Sequence, residues 1–478
     1  MAPPPQRTRN LIAMSTTGLF EIFGQPDGFG ENIAEPERGS RTPPALDDLL
    51  SKVNVQRAWT RVQRNRGCPG VDGISITELE PVFTDEWQRV EQSLLRGDYS
   101  PKPLLRVRIS KPSGGVRLLG IPSVMDRVVQ QALAQAFSPC WETRFSSCSF
   151  AYRPGRGAKD ALRAVESALN SGAIHVLHLD IEKFFDSVPH PVVLTGLCQE
   201  LADERLANLL CRILSCGAYE DGIVRPTTIG IAQGSPLSPL LANIVLHRLD
   251  TALEAEGWTF VRYADDCVIL LRDDKLDPVV HKVVVQLLGS LGLRLNDRKT
   301  SFSHFTAARF LGFSFQPDAR GRVTRCVSPE ALAEAGQSLL MVVRTVGADP
   351  EGVAQEVARM LASWMAYFYT PSAERPIRAL VNSVVAAWRE RFPGCASPEC
   401  LQWEVLQRGR RGENVDYNGH FQGADFSPDS VDWIQSLHCL GLRLLRSRWW
   451  HLEYNPGFGQ RPAGVCLCLG RHRIHFRL

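Results

Sequence analysis

Apolar residues recur every three to four positions in ALDDLLSKVNVQRAWTRVQRN and again in DRVVQQALAQAF, where Val128, Val129, Ala132, Leu133, Ala136 and Phe137 share one face. Both stretches predict helices. Between them the period drops to two. Val107 and Ile109 alternate with Arg106, Arg108 and Ser110, a Pro-Ser-Gly-Gly turn follows, and a second run covers Val116 to Leu119, which predicts a hairpin with a basic face. HVLHLDIEKFFDSV predicts a strand running into a turn, and SPLLANIVLHRLD a helix. Trp258 to Leu271 predict two short strands broken at Ala264 and Asp265. From about Pro329 the pattern is purely helical: Val353, Val357, Leu361, Trp364 and Phe368 fall at helical spacing, as do Ile377, Leu380, Val384, Trp388 and Phe392. The chain therefore predicts an α+β core followed by a helical domain.

Composition narrows this picture without naming a role. With 478 residues, 44% of them hydrophobic, the chain can bury a sizeable core. Its net charge of +3, from 54 basic and 51 acidic residues, leaves any polyanion site to local clustering. Thirteen cysteines in no regular framework, with Cys198, Cys211 and Cys267 inside apolar runs, suit a reducing, bacterial-type cytoplasm. Zinc is not expected, since Cys395 and Cys400, or Cys466 and Cys468, lack a second properly spaced pair. No window approaches the roughly 20 apolar residues of a spanning helix, and no membrane role is expected. Residues 1–44, rich in Pro, Gly and charge, read as a flexible leader. The last stretch, from Leu442, holds seven arginines and one acid, Glu453, with Trp449 and Trp450 adjacent. That tail reads either as a nucleic-acid contact or as a small packed cap.

The break in FVRYADDCVIL raises a chemical question, because it sets Asp265 and Asp266 inside an apolar segment. Asp180 ends the apolar run HVLHLD, 85 positions earlier (265 minus 180). Desolvated like charges repel, so such a cluster is tolerable only when protonated or neutralised by cations. Hard divalent ions with oxygen ligands suit it, and two of them about 3.5–4 Å apart stabilise both oxygens of an in-line phosphoryl displacement. Taken singly, each aspartate reads as well as a hydrated turn residue.

The surrounding motifs decide. YADD at Tyr263 to Asp266 lies within an ordered series: GVDGIS, KPSGGVRLLGIPSVMDRVVQQAL, LDIEKFFDSVPH, GIAQGSPLSPLLANIVLHRLD, LGLRLNDRKTSF and FLGFSF. The series resembles the reverse transcriptases of the group II intron, maturase-like lineage, over roughly residues 50 to 392. The resemblance implies a right-hand polymerase fold with fingers, palm and helical thumb, and a small C-terminal appended domain. Its expected boundaries are 45–175 for the fingers and N-terminal extension, 176–328 for the palm, 329–392 for the thumb and 393–478 for a basic aromatic domain.

Residue by residue, the resemblance implies that Asp180, Asp265 and Asp266, with the backbone carbonyl of Ile181, bind two Mg²⁺ ions, for which Mn²⁺ can substitute. Phe185 falls where the family keeps an aromatic that clashes with a ribose 2′-hydroxyl; core packing is its other reading. Gln233 matches a position that contacts the incoming nucleotide. Lys111 and Arg117 fit fingers residues that clamp the triphosphate, or else a solvated basic hairpin. Arg153 and Arg156, in RPGRGAKDAL, read as template-phosphate contacts or as a charged helix start. Tyr263 and Gly312 (in FLGFSF) match primer-end contacts or plain core, and Lys299 an active-site position or a surface turn.

The implied activity is an RNA-directed DNA polymerase, a nucleotidyltransferase that takes dNTPs, an RNA template and a DNA or RNA primer. A maturase that chiefly binds a dedicated intron or noncoding RNA is the alternative of another class. A domesticated enzyme of antiviral defence, CRISPR-associated spacer acquisition or DNA repair is a third. The cysteine-rich endonuclease carried by many intron-encoded relatives has no counterpart in the motifs, and the oligomeric state is open.

Overall fold

A computed structural model describes residues 43–110, 116–198, 201, 203–273, 277–345, 349–395, 450–453, 465–469 and 472–476. The chain divides into two compact units, 1–326 and 327–478. The leader up to residue 42, Lys111, and the side chains of the C-terminal tail lie outside the described residues.

In the first unit the expected opening helix is two helices, Leu46–Leu50 and Lys52–Asn65. Ser51 separates them: its extended backbone ends one, and its hydroxyl accepts from the Asn54 N–H at 3.4 Å to cap the next. The basic hairpin forms as β1 (Leu104–Ser110) and β2 (Val116–Ile121), paired antiparallel from Leu105 opposite Ile121 to Ser110 opposite Val116. Helix Val124–Glu142 follows, capped by the Ser123 hydroxyl, and Ala158–Asn170 precedes β3 (His175–Leu179). Short strands β4 (Ala218–Glu220) and β5 (Ile223–Arg225) complete a first sheet, ordered β2-β1-β4-β5.

The second sheet carries the carboxylates. Helix Ser238–Ala255 leads into β6 (Thr259–Tyr263) and β7 (Asp266–Leu271), and after helix Asp277–Ser290 comes β8 (Ser301–His304). The order is β6-β7-β3-β8, all antiparallel. Side chains alternate across such a sheet. Leu177, Leu179, Cys267, Ile269 and Leu271 point into the main core, with Leu240, Leu241 and Ile244 of the preceding helix in the same cluster. His178, Asp180 and Asp266 are thereby turned to the other face. Strands β9 (Arg309–Phe310), β10 (Phe313–Pro317) and β11 (Val323–Val327) make a third sheet.

The second unit contains helices Pro329–Thr345, Pro350–Phe368 and Glu374–Arg391. Their buried stripes include Val353, Val357, Leu361, Trp364 and Phe368 on one helix and Ile377, Val384 and Trp388 on another, the positions at which the helical period placed them. Strands β12 (Trp450–Glu453), β13 (Val465–Leu469) and β14 (His472–Phe476) form an antiparallel meander. No described helix is long and apolar enough to cross a membrane, and the described cysteines are free.

Candidate active site

Tyr263 pairs with Asp266, which leaves Ala264 and Asp265 as a two-residue hairpin turn. Such turns follow the twist of their strands only with a positive φ, and Ala264 supplies it at +58°. An L-residue there is strained by about 1–2 kcal/mol. The turn lifts Asp265 out of the ladder, while Asp266 opens β7.

Register brings Asp180 to them. Leu179 lies opposite Cys267, so the next step along the antiparallel pair sets Asp180 opposite Asp266. Burial raises the Asp265 pKa, and the charges of Asp266 and Asp180 raise it further, against a backbone hydrogen bond and Arg117 pulling down. The three expected carboxylates are thus felt at one place. Ile181 is buried and bridges Leu295 through bonds made by its neighbours, from the Asn296 N–H to the Asp180 carbonyl and from the Glu182 N–H to the Arg294 carbonyl, each 2.8 Å. By the alternation of an antiparallel strand, the Ile181 carbonyl faces the opposite edge, the side of β7.

Cations stand against these acids. His178 Nε2 lies 2.6 Å from Asp266 Oδ1, and Lys299 Nζ 3.6 Å from Asp180 Oδ2. Burial works to lower the His178 pKa, but the Asp266 hydrogen bond and the charges of Asp266 and Asp180 outweigh it, and the net shift is upward. Among the described residues no group of three or more His, Cys, Asp or Glu side chains is disposed to hold a metal ion as it stands; Asp266 and Asp180 are turned onto His178 and Lys299 instead. The donor set nevertheless fits a hard divalent cation, being oxygen throughout and crowded with like charge.

The remaining expected residues fall at several places. Arg117 and Tyr152 share the electrostatic neighbourhood of Asp265: burial and then the Asp265 charge push the Tyr152 hydroxyl up to about 12, with Arg117 opposing. Gln233 accepts from the Gly120 N–H through its main-chain carbonyl, at 2.9 Å. Beside it Gly234, at φ +110°, brings its Cα so close to the Gly120 carbonyl that a Cβ would stand 3.2 Å from that oxygen, so the loop is fastened to β2 two residues beyond Leu118. Phe185 is half-buried, its ring edge-on to the buried Phe184 at 5.4 Å, and its carbonyl accepts from the Ile231 N–H at 2.7 Å. Gly312, φ +77°, forms with Leu311 the turn of the β9–β10 hairpin. Tyr263 is half-buried and Lys299 exposed.

Arg153 is placed differently from its expectation. It is 2% exposed; its guanidinium bonds Glu142 through Nε and Nη2 and the carbonyls of Ser146 and Ser149 through Nη1. Those donors are committed inside the protein, which leaves Arg153 out of reach of a template phosphate. Arg156 is half-buried and donates to the Ser147 carbonyl at 2.7 Å.

Pattern reading missed three groups. His178 had a signal, a polar residue two before Asp180 and so on the same strand face. Tyr152 had none beyond its place before an Arg-Pro-Gly turn. The third is a buried cluster under the hairpin, Arg262 with Asp250 and Asn243.

Comparison with known proteins places the chain among one family. Residues 109–315 match a family model described as reverse transcriptase (RNA-dependent DNA polymerase). The chain is 32% identical over 323 residues to Protein YkfC of Escherichia coli, covering 57% of this chain and 85% of that one. It is 27% identical over 336 residues to the group II intron-encoded protein LtrA of Lactococcus lactis, 56% of each chain. A putative COX1/OXI3 intron 1 protein of Saccharomyces cerevisiae is 25% identical over 328 residues, 56% of this chain and 39% of that one. The chain thus spans most of YkfC but only about half or less of the two intron proteins.

Proposed function

The chain belongs to the reverse transcriptases, RNA-dependent DNA polymerases, of group II intron-like type, and from that premise we propose that it extends a primer 3′-hydroxyl with dNTPs on an RNA template, using Asp180, Asp265 and Asp266 as its metal-binding carboxylates. The observation that carries the reading is the meeting of these three acids at the turn-end of neighbouring strands β3 and β7, where the charges of Asp266 and Asp180 add to burial in disfavouring the ionised form of Asp265.

In this reading the β6-β7-β3-β8 sheet is the palm, the β2-β1-β4-β5 sheet belongs to the fingers, and the helices of 329–391 are the thumb. The carboxylates, with the Ile181 carbonyl, would hold two Mg²⁺ ions, which when bound supply the charge that favours the ionised 3′-hydroxyl and the departing pyrophosphate. The protein's own side chains do the rest. Lys299 and His178 stand as counter-charges to Asp180 and Asp266, a role that divalent ions held by these carboxylates would take over. Arg117, within electrostatic reach of Asp265, receives triphosphate oxygens. The ring of Phe185 occupies the space a 2′-hydroxyl would need, and Gln233, on a loop tied to β2, meets the nucleotide.

Primer extension by the purified full chain tests the proposal, with a labelled DNA primer on an RNA template, dNTPs and Mg²⁺. Elongation that stops with EDTA and with Asp265→Asn is expected. No elongation by the wild-type chain on any template and primer pair would overturn it.

A further inference from the structure

Arg262 and Asp250 are both 0% exposed. They form a two-pronged pair, Nε to Oδ1 at 2.6 Å and Nη2 to Oδ2, while Nη1 donates to Asn243 Oδ1 and to the Ala264 carbonyl, each at 3.0 Å. Asn243 and Asp250 sit seven residues apart on helix Ser238–Ala255, two turns along one stripe. Asn243 Nδ2 in turn donates to the Ala151 carbonyl at 2.8 Å. The Arg262 main chain joins the same segment, its N–H to the Cys148 carbonyl and its carbonyl from the Phe150 N–H.

The guanidinium therefore ties the helix to the turn carrying Asp265, while the Arg262 main chain and the Asn243 amide tie in the 148–151 segment that leads to Tyr152. Its bond to Ala264 matters most. The Ala264 carbonyl lies in the plane of the peptide that enters Asp265, so holding that oxygen sets the direction from which Asp265 departs. The residue so held is the one kept at φ +58°, a conformation that needs outside support. Stability alone does not account for the cluster, because a well-packed apolar pair of similar volume commonly serves as well as a buried ion pair.

We propose that Arg262, with Asp250 and Asn243, is a positioning group that aims the Asp265 turn at the metal site. The proposal deepens the polymerase reading and rests on it. Arg262 touches neither substrate nor reacting atoms; it acts through the peptide it holds.

The test uses the full chain with Arg262→Met/Asp250→Leu, which removes the charge pair together and so avoids stranding either partner. Arg262→Lys is made beside it, keeping the charge but not the fork that reaches Asp250, Asn243 and Ala264 at once. Hydrogen–deuterium exchange of residues 264–267 without divalent ions, Mn²⁺ binding followed by electron paramagnetic resonance, and primer-extension kcat and dNTP KM are measured. The expected result is a folded chain in which exchange at the turn rises about ten-fold. Mn²⁺ affinity and kcat are each expected to fall about 10–100-fold, with KM little changed. Wild-type exchange and wild-type Mn²⁺ affinity in either folded variant would overturn the proposal. Should the wild-type chain fail to polymerise, the functional reading falls while the exchange measurement still decides the positioning role.

Discussion

Replacing Asp265 by asparagine is expected to destroy synthesis and, in the absence of divalent ions, to make the protein more stable. Burial and then the neighbouring carboxylates raise the Asp265 pKa, so its ionised form is disfavoured in the folded chain. The sign follows from linkage: the stability tied to its bound proton is present below the unfolded value of about 3.9 and is lost as pH rises through the higher folded value. At pH 7 the ionised group therefore works against folding. Asp265 stands in the turn one residue before Asp266 and beside the strand end that carries Asp180, and two unit charges about 5 Å apart repel by about 3 kcal/mol at an effective dielectric of about 20. His178 and Lys299 offset part of this, and water screens more of it, since the Asp180 and Asp266 side chains are 30% and 34% exposed. A net gain of about 1–2 kcal/mol remains for the neutral isostere. In EDTA its melting temperature is expected to rise by a few degrees; with Mg²⁺ the wild type gains and the variant does not, so the order inverts. Primer extension by the variant is expected to be undetectable. A variant that melts below the wild type in EDTA, or that still elongates primers, would refute the charge argument or the catalytic assignment respectively.

Other perturbations separate the remaining roles. The raised His178 pKa means that, without metal, the stability from its pair with Asp266 is fully present below about 6.5 and lost as pH rises through the folded value; His178→Ala should flatten that part of the melting profile, and an unchanged profile would count against the pair. Arg153→Ala, which strands Glu142 and two carbonyls, is expected to lower stability by about 3 kcal/mol, read by denaturant unfolding. Arg156→Ala should leave stability within about 0.5 kcal/mol while raising the KM for template. Phe185→Ala should admit ribonucleotides, reducing dNTP-over-rNTP preference about ten-fold or more in competition assays; retained preference would assign Phe185 to core packing.

The β6–β7 hairpin was legible because a break in an apolar run at Ala264 and Asp265 is a local signal, and the helix of residues 238–255 because its apolar period is long. Ser51, a capping residue inside a continuous helical period, split an expected helix that periodicity alone does not divide. Arg153 misled for a different reason. An arginine beside Pro and Gly reads as a surface charge until Glu142, eleven positions back, is found folded against it. Arg262 was hidden in the same way: inside VRYADD it looks like one more polar residue of an alternating strand, and only Asp250 and Asn243, brought up by the helix, show it to be wholly interior.

By itself the sequence determined the kind of backbone in its strongly periodic segments, the adjacency of Asp265 and Asp266 at a break in an apolar run, and the strand that terminates in Asp180, because period and turn chemistry act over a few residues. Tertiary structure alone decided which of those ends meet. The β3–β7 register places Asp180 against Asp266, and side-chain pairing decides whether Arg153 and Arg262 face water or the interior. Register and burial are set by partners far along the chain, and their free energy exists only once those partners are in contact.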